Sequence, residues 1–286
     1  MQDRFGEYEL VSAVTTSSDD CAIAYWSIGN PAGIPIVLLH GFSLDHSIWS
    51  PVYSKEALLQ RCYFVMPDLR GHGRSGHPSS ASRYTDGDLW AADMDALIRA
   101  SGIDRPAVVA WSYSGRMLFD FLRTRGQDSV RCLNLVAAAS LAMREAIGRH
   151  HRCLELMCSR EPETAGAACV QFVSEILRIP PRTGEFDHMV AATRMTTPEQ
   201  RGWMRQRALD YDDLISGIDI PVLVTHGDSD TVVLPMLATA LHEAIPSSQL
   251  ALYEGAGHAP FRDDPERFCR ELLAFVSSVT VGRAEV

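Results

Sequence analysis

Apolar residues in this sequence fall into short runs that alternate with longer stretches of helical periodicity. The first two runs alternate between apolar and polar positions, which is typical of a half-exposed antiparallel edge, whereas most later runs are continuously apolar, as buried parallel strands are. Strands are therefore predicted at residues 8–14, 22–27, 36–40, 63–67, 107–111, 133–139, 222–225 and 249–253. Helices are predicted near residues 50–60, 85–101, 115–125 and 235–245.

The last helix has a recognisable start. Asp264 can accept hydrogen bonds from the first backbone amides, and Pro265 suits the first turn because its missing N–H has no helical partner there. Phe268, Leu272 and Val276 then recur at helical spacing, so we expect them to form the buried face of this helix.

The alternation of strands and helices predicts an α/β fold, with a mostly parallel sheet covered by helices on both faces. Residues 141–216 break this rhythm because they are helical in pattern, rich in Met and Arg, and contain no convincing strand. We therefore predict an α/β core formed by residues 1–140 and 217–286, with residues 141–216 inserted as a helical cap, or lid. Such an insertion would lie over the strand ends, where doubly wound sheets bind ligands.

Composition and charge narrow the classes of partner. The chain has 286 residues, 46% of them apolar, which is enough for one large domain with an insertion. Its net charge of −10 makes nucleic acid and membrane surfaces poor partners, so a small-molecule substrate is expected. Residues 1–10 mix both charge signs without an apolar segment, and the seven cysteines form no C-x-x-C pair. Both features favour a cytoplasmic protein with reduced thiols.

The stretch from Ala107 to Gly115 carries the most specific chemical signal. An apolar strand runs directly into a helix with Ser112 at the corner, where a strained backbone pushes the hydroxyl out above the sheet. The residues two positions away must be small, and Ala110 and Ser114 meet that condition. The pattern therefore predicts that Ser112 is a nucleophile.

A histidine and an acid follow at the ends of later predicted strands. His258 lies in a glycine-rich loop after the last strand, which gives its imidazole freedom to reach over the sheet edge. Asp228 and Asp230 both follow the preceding strand, and either could fix the imidazole tautomer and stabilise the imidazolium. A Ser-His-Asp arrangement is predicted, with the acid left open between these two residues.

The loop after the strand at 36–40 supplies a fourth element. Gly41 frees the backbone there, so the amide of Phe42 can face the site. Together with the amide of Tyr113, the residue after the nucleophile, it would form a two-donor oxyanion hole. His40, at the strand end, is expected to hydrogen-bond locally. The four elements occur in the order oxyanion loop, Ser, Asp, His, each at the carboxyl end of a different strand.

These motifs resemble those of α/β-hydrolase fold proteins of the esterase, haloperoxidase-like and C–C hydrolase branch, over roughly residues 20–280. The resemblance rests on HGFSLDHSIW (40–49), PDLRGHGRS (67–75), AWSYSG (110–115), HGDSDTVV (226–233) and GAGHAPFRDDPERF (255–268). In that family the acid follows glycine as G-x-x-D, which implies Asp230 rather than Asp228. Ala110 and Ser114 depart from the family pattern G-x-S-x-G, because they stand where its two glycines are.

The sequence favours a serine hydrolase that cleaves an ester, lactone or thioester of a small to medium, largely apolar substrate through an acyl-enzyme, without a cofactor or metal. C–C bond hydrolysis, perhydrolysis and a non-catalytic receptor of the same fold remain alternatives. Trp111, Met143 and Trp203 are expected to line the substrate pocket. The potential ligands His150, His151, Cys153 and Cys158 lack the spacing of a tetrahedral metal site, so no metal site is predicted.

Overall fold

A computed structural model describes residues 4–138, 140–141, 143–181, 183–208 and 210–281. Its centre is an eight-stranded sheet in the order β10-β9-β8-β7-β5-β6-β4-β3, beside a small antiparallel pair of β1 and β2. The strands are β1 Arg4–Phe5, β2 Tyr8–Glu9, β3 Val11–Thr16, β4 Ala22–Gly29, β5 Ile34–Leu39, β6 Cys62–Pro67, β7 Ala107–Trp111, β8 Cys132–Val136, β9 Val222–Gly227 and β10 Ser248–Tyr253. Strands β5 to β10 pair in parallel, whereas β3 and β4 are antiparallel to their neighbours.

The α-helices of the described residues are α1 Ser50–Tyr53, α2 Glu56–Leu59, α3 Ser82–Thr85, α4 Gly87–Ser101, α5 Ser114–Arg125, α6 His151–Leu156, α7 Pro162–Ile176, α8 Thr183–Met195, α9 Pro198–Arg205, α10 Asp212–Ser216, α11 Met236–Ala244, α12 Pro260–Asp263 and α13 Pro265–Val281. Short 3₁₀ turns occupy His46–Trp49, Gln127–Ser129 and Arg144–Ala146. Helices α4 and α5 pack against each other, and α13 packs against α1 and α12. No helix within the described ranges is both long and apolar enough to cross a bilayer.

The predicted α/β sheet is confirmed, with two local differences near its antiparallel edge. The first predicted strand, residues 8–14, is divided between β2, which pairs with β1, and β3, which joins the large sheet. The second, residues 22–27, was expected to be half-exposed, but Ile23, Tyr25 and Trp26 of β4 are buried. The expectation was wrong for β4 because this strand lies between β3 and β6 rather than at the edge.

The start and the core face of the last helix are confirmed. The carboxylate of Asp264 accepts a hydrogen bond from the amide of Arg267 at 3.1 Å, which satisfies one of the free amides of the first turn. Phe268, Leu272 and Val276 are each 1% exposed. This buried face packs α13 against the sheet, where it contacts β8.

Helices α6 to α10 lie between β8 and β9, and no strand of the large sheet occurs among the described residues of this stretch. We use the name helical insertion for the described residues within the predicted range 141–216. Its anchor is Arg201 of α9, which is buried and donates hydrogen bonds to Ser43 Oγ at 3.1 Å and to the carbonyl of Met157 at 2.7 Å. Because Ser43 follows β5, this arginine ties the insertion to the loops at the carboxyl ends of the strands.

Candidate active site

Ser112 lies at a sharp corner between β7 and α5. Its φ of +56° falls in the left-handed region that a residue with a side chain rarely adopts, and its amide donates a hydrogen bond to the carbonyl of Val136 at 2.9 Å. The neighbouring Ser114 stands at the second glycine of the pattern G-x-S-x-G, and its hydroxyl contacts the carbonyls of Leu39 at 3.0 Å and Trp111 at 2.9 Å. The strained corner is therefore braced by a buried hydroxyl that does not face the site.

The structure brings Ser112, His258 and Asp230 into one hydrogen-bonded line. The hydroxyl of Ser112 lies 2.8 Å from Nε2 of His258, and Nδ1 of His258 lies 2.7 Å from Oδ2 of Asp230. His258 and Asp230 are each only 2% exposed, so little solvent competes for these bonds. The indole N–H of Trp111 donates to the carbonyl of His258 at 2.7 Å and holds the histidine loop against β7. In this arrangement the imidazole can accept the serine proton while the carboxylate fixes its tautomer.

The surroundings of Asp230 keep its carboxylate ionised. Oδ1 accepts hydrogen bonds from the amides of Val232 at 2.8 Å and Val233 at 3.0 Å, and Oδ2 faces His258 and His226. Burial alone would raise the pKa of Asp230, but the two histidines outweigh it and hold the pKa below its ordinary value. The rival Asp228 is exposed and bonds instead to Ser229 and the amide of Gly255.

His226 is a member of this group that the sequence did not single out. Its Nε2 lies 3.1 Å from Oδ2 of Asp230 and 2.9 Å from the carbonyl of Val233, so Nε2 carries a proton shared between two acceptors. The signal in the sequence was the spacing of four residues between His226 and Asp230 in H-G-D-S-D. The loop after β9 turns back on itself, so residues at this spacing come into contact. Asp230 is therefore held by four donors, which restricts its orientation towards His258.

The loop after β5 lies beside the nucleophile. A Cβ atom at Gly41 would come within 3.3 Å of Ser112 Cβ and 3.0 Å of the Trp111 ring, so only glycine fits there without displacement. Within the described part of the chain, the backbone N–H groups of Phe42 and Tyr113 donate to no other group. Two free amides next to Ser112 are the donors that a developing oxyanion needs.

The local hydrogen bonding expected for His40 is confirmed, and it shapes the same loop. Its ring contacts the carbonyl of Gly41 at 2.8 Å and accepts from the amide of Leu69 at 3.0 Å. Burial lowers the pKa of His40, so the ring is neutral at physiological pH. Its two hydrogen bonds hold the loop after β5 against the loop after β6.

A cavity of about 60 Å³ opens at Ser112. It is lined by Phe42, Ser112, Tyr113, Arg116, His151, Leu154, Arg205, Val232 and Val233. Phe42 and Tyr113, whose amides were predicted to face the site, are in this wall, whereas the six other residues besides Ser112 were not predicted as pocket residues. For Arg116 a signal existed, because it lies on the first turn of the helix that follows Ser112.

The pocket residues expected from the sequence do not line this cavity. Trp111 is 1% exposed, and its ring packs edge-on against Phe261 beneath the site. Trp203 packs against Tyr84, with ring centroids 5.6 Å apart, and Met143 packs against the core. These three side chains were expected in the pocket because they are large and apolar, and the same property draws them into packed interfaces instead.

Three of the four potential metal ligands of the helical insertion have other partners, whereas the fourth, His151, lines the cavity at Ser112. His150 contacts the hydroxyl of Thr231 at 2.7 Å, and the thiol of Cys153 points to the carbonyl of His150 at 2.7 Å. The thiol of Cys158 points to the carbonyl of Leu154 at 3.3 Å. Within the described ranges, no three His, Cys, Asp or Glu side chains are grouped so that they could hold an ion.

The eight-stranded sheet, the serine corner and the order of the loops define an α/β-hydrolase. The model of the α/β hydrolase fold family matches residues 34–265, and the chain belongs to that family.

Similar proteins of this family include enzymes named for two activities. The crystal structure of the esterase RhEst1 from Rhodococcus sp. ECU1013 shares 31% identity, with a TM-score of 0.86 over 94% of this chain and 99% of that one. A non-heme chloroperoxidase from Streptomyces lividans is 29% identical over 92% of this chain and 99% of its own. An uncharacterized protein of Mycobacterium tuberculosis is 30% identical over 83% of this chain and 73% of its own.

Proposed function

We propose that this protein is a serine hydrolase that cleaves an ester of a small to medium carboxylic acid through an acyl-enzyme. The observation that carries the proposal is the hydrogen-bonded line from Ser112 through His258 to Asp230, with distances of 2.8 Å and 2.7 Å. The similarity to the esterase RhEst1, at 31% identity, supports the same reaction class.

In the first half of the reaction, His258 removes the proton from Ser112 as Oγ attacks the ester carbonyl. The carbonyl oxygen becomes an oxyanion, which accepts hydrogen bonds from the amides of Phe42 and Tyr113. Removal of one such donor typically costs about 10²–10³ in rate. Asp230 stabilises the imidazolium, which then gives its proton to the leaving alkoxide and leaves the acyl group on Ser112.

In the second half, His258 takes a proton from water as the water attacks the acyl-enzyme. The same amides hold the second oxyanion, and the imidazolium returns the proton to Ser112 as the acid leaves. Neither half needs a metal or a cofactor. The apolar side chains of Phe42, Leu154, Val232 and Val233 suit a short apolar part of the substrate.

Perhydrolysis is the second candidate, and the similarity to the non-heme chloroperoxidase of Streptomyces lividans favours it. Hydrogen peroxide would replace water in the second half, and the acyl-enzyme would release a peroxy acid. The first half is unchanged, so both activities depend on Ser112. Product analysis after adding peroxide separates the two, because a peroxy acid oxidises bromide whereas a carboxylic acid does not.

Fluorophosphonate labelling and hydrolysis of p-nitrophenyl acetate test the proposal. Replacing Ser112→Ala should abolish labelling and lower the hydrolysis rate about 10⁴-fold, since no nucleophile remains. Ser114→Ala is the matched control, because its hydroxyl faces the carbonyls of Leu39 and Trp111 and its loss should leave labelling in place. Hydrolysis by Ser112→Ala within tenfold of the unmodified protein, or no labelling of the unmodified protein, would reject the proposal in favour of a binding role.

A further inference from the structure

The charge around the nucleophile is opposite to that of the whole protein. Although the chain carries a net charge of −10, the cavity at Ser112 is lined by two arginines, Arg116 and Arg205, and by no carboxylate. A low-dielectric cleft concentrates the field of such charges, so this cavity attracts negatively charged groups.

Arg116 is incompletely paired within the described residues. Its Nη1 donates to the carbonyl of Arg207 at 3.0 Å, and its Cζ lies 5.2 Å above the ring of Tyr113. Its Nε is shielded from solvent and donates to no group of the described chain, and no carboxylate there forms an ion pair with it. Burial lowers the pKa of this guanidinium, which shows that its surroundings disfavour the charge.

The charges or N–H donors of three buried arginines are better matched by partners than those of Arg116, which is only partly buried. Arg70 pairs with Asp93 at 2.6 Å, and Arg207 pairs with Asp120. Arg201 has no carboxylate partner, but its Nε, Nη1 and Nη2 all donate, to Ser43, Met157 and Thr193 respectively. Arg116 combines an unused buried donor with a place in the cavity wall.

The position of Arg116 also opposes the local electrostatics. It lies on the first turn of α5, whose N-terminal end carries partial positive charge, so a cation is unfavourable there. Since Arg116 is partly exposed in the cavity wall and has no carboxylate partner among the described residues, its charge favours a negatively charged group that enters the cavity from outside the chain.

Arg205 and His151 are two further polar side chains of the cavity wall besides Arg116 and Ser112, and neither is negatively charged. Arg205 reaches Glu155, which is largely exposed, at 3.5 Å, leaving most of its donors available. Burial, with the nearby charge of Arg205, lowers the pKa of His151 to about 4. His151 is therefore neutral at physiological pH and can hydrogen-bond a ligand without adding charge.

We propose that this cavity selects esters that carry a carboxylate, which binds Arg116 with Arg205 as a second donor. The inference rests on the proposed function, because it assigns the substrate class of the same nucleophile. Arg116 follows Ser112 by four residues and lines the same small cavity, so a short spacer between the carboxylate and the ester suits this wall. A half-ester of a short dicarboxylic acid is a substrate of this kind.

The test compares matched charged and neutral esters in two arms. Mono-p-nitrophenyl glutarate against p-nitrophenyl pentanoate places the carboxylate on the acyl side, and 4-acetoxybenzoate against its methyl ester places it on the leaving group. In at least one arm, Arg116→Gln should lower kcat/KM for the charged ester about 10- to 100-fold, mostly through KM, because a charged hydrogen bond is lost. The loss for the matched neutral ester should be clearly smaller, so the ratio of the two kcat/KM values is the readout.

Two variants control this measurement. Arg116→Lys keeps the positive charge and should restore part of the preference for the charged ester. Arg125→Gln makes the same charge change on the exposed end of α5, where Arg125 pairs with Asp95, and should leave the preference unchanged. Equal losses for charged and neutral esters in Arg116→Gln would mean a structural role and overturn the inference.

The unmodified protein gives a test that does not depend on folding of a variant. It should prefer the charged ester in at least one arm, and this preference should weaken at high salt. If neutral esters are preferred in both arms while fluorophosphonate still labels Ser112, the inference fails and the proposed function stands. If Ser112 is not labelled and neither ester is hydrolysed, the proposed function fails and the inference with it.

Discussion

Asp230→Asn is the most informative single change, because the structure leaves the asparagine no acceptable orientation. Oδ1 of Asp230 accepts from the amides of Val232 and Val233, and Oδ2 faces His258 and His226. If the amide nitrogen replaces Oδ2, it faces the N–H of His226 and drives the proton of His258 to Nε2. The hydroxyl of Ser112 then loses its acceptor. If the nitrogen replaces Oδ1, it faces two backbone N–H groups.

The expected magnitudes follow from these contacts. A histidine held in the wrong tautomer loses about 10⁴-fold in kcat, so hydrolysis of p-nitrophenyl acetate by Asp230→Asn should fall by about that factor. A buried donor placed against donors, together with the loss of a charged partner for two histidines, should lower the free energy of unfolding by roughly 2–5 kcal/mol.

The loss of unfolding free energy in Asp230→Asn should depend on pH in a definite direction. The pKa of Asp230 is lowered in the folded state, so its carboxylate contributes stability above its unfolded pKa of about 4. That contribution is lost as the pH falls through the lower folded pKa. The difference in unfolding free energy between the unmodified protein and Asp230→Asn should therefore narrow on acidification, as measured by urea denaturation.

Asp228→Asn is the matched control, since it makes the same chemical change two residues earlier at an exposed carboxylate. We expect its rate to stay within about threefold and its stability within about 0.5 kcal/mol of the unmodified protein. Rates are compared on samples shown to be folded by circular dichroism at the assay temperature. An Asp230→Asn rate within tenfold of normal, or an equal loss in Asp228→Asn, would refute the assignment of the acid.

Two further predictions concern ionisable side chains outside the group of Ser112, His258 and Asp230. Arg70→Met should lower the free energy of unfolding by about 3–5 kcal/mol, because Asp93 is left buried without its 2.6 Å partner; a loss below about 1 kcal/mol in urea denaturation would contradict this. His151 has a folded pKa of about 4 against about 6.5 when unfolded, so between these values only the unfolded chain binds this proton and stability rises with pH. His151→Gln should give a shallower rise over pH 4–6.5, and an unchanged slope would count against the burial of this imidazole.

The fold was predictable because its signals are local. Continuous apolar runs indicated the parallel strands, and the cap at Asp264 with the helical spacing of Phe268, Leu272 and Val276 indicated the last helix correctly. The expectation that β4 is half-exposed was wrong because burial is not a local property. The burial of a strand depends on which elements cover it, and β4 lies between β3 and β6, which no local pattern encodes.

For the candidate site, the sequence by itself determined the residue types at the strand ends: a serine at a strained corner, a histidine in a glycine-rich loop and a glycine before Phe42. The family resemblance already implied Asp230 rather than Asp228 as the acid. Only the tertiary structure decided that His226 contacts the same carboxylate as His258, and that Arg116 and Arg205 line the cavity while Trp111 packs beneath it. The physical reason is separation along the chain. Corners and strands form from neighbouring residues, whereas a cavity wall is made by side chains brought together from α5, α6 and α9 only when the chain packs.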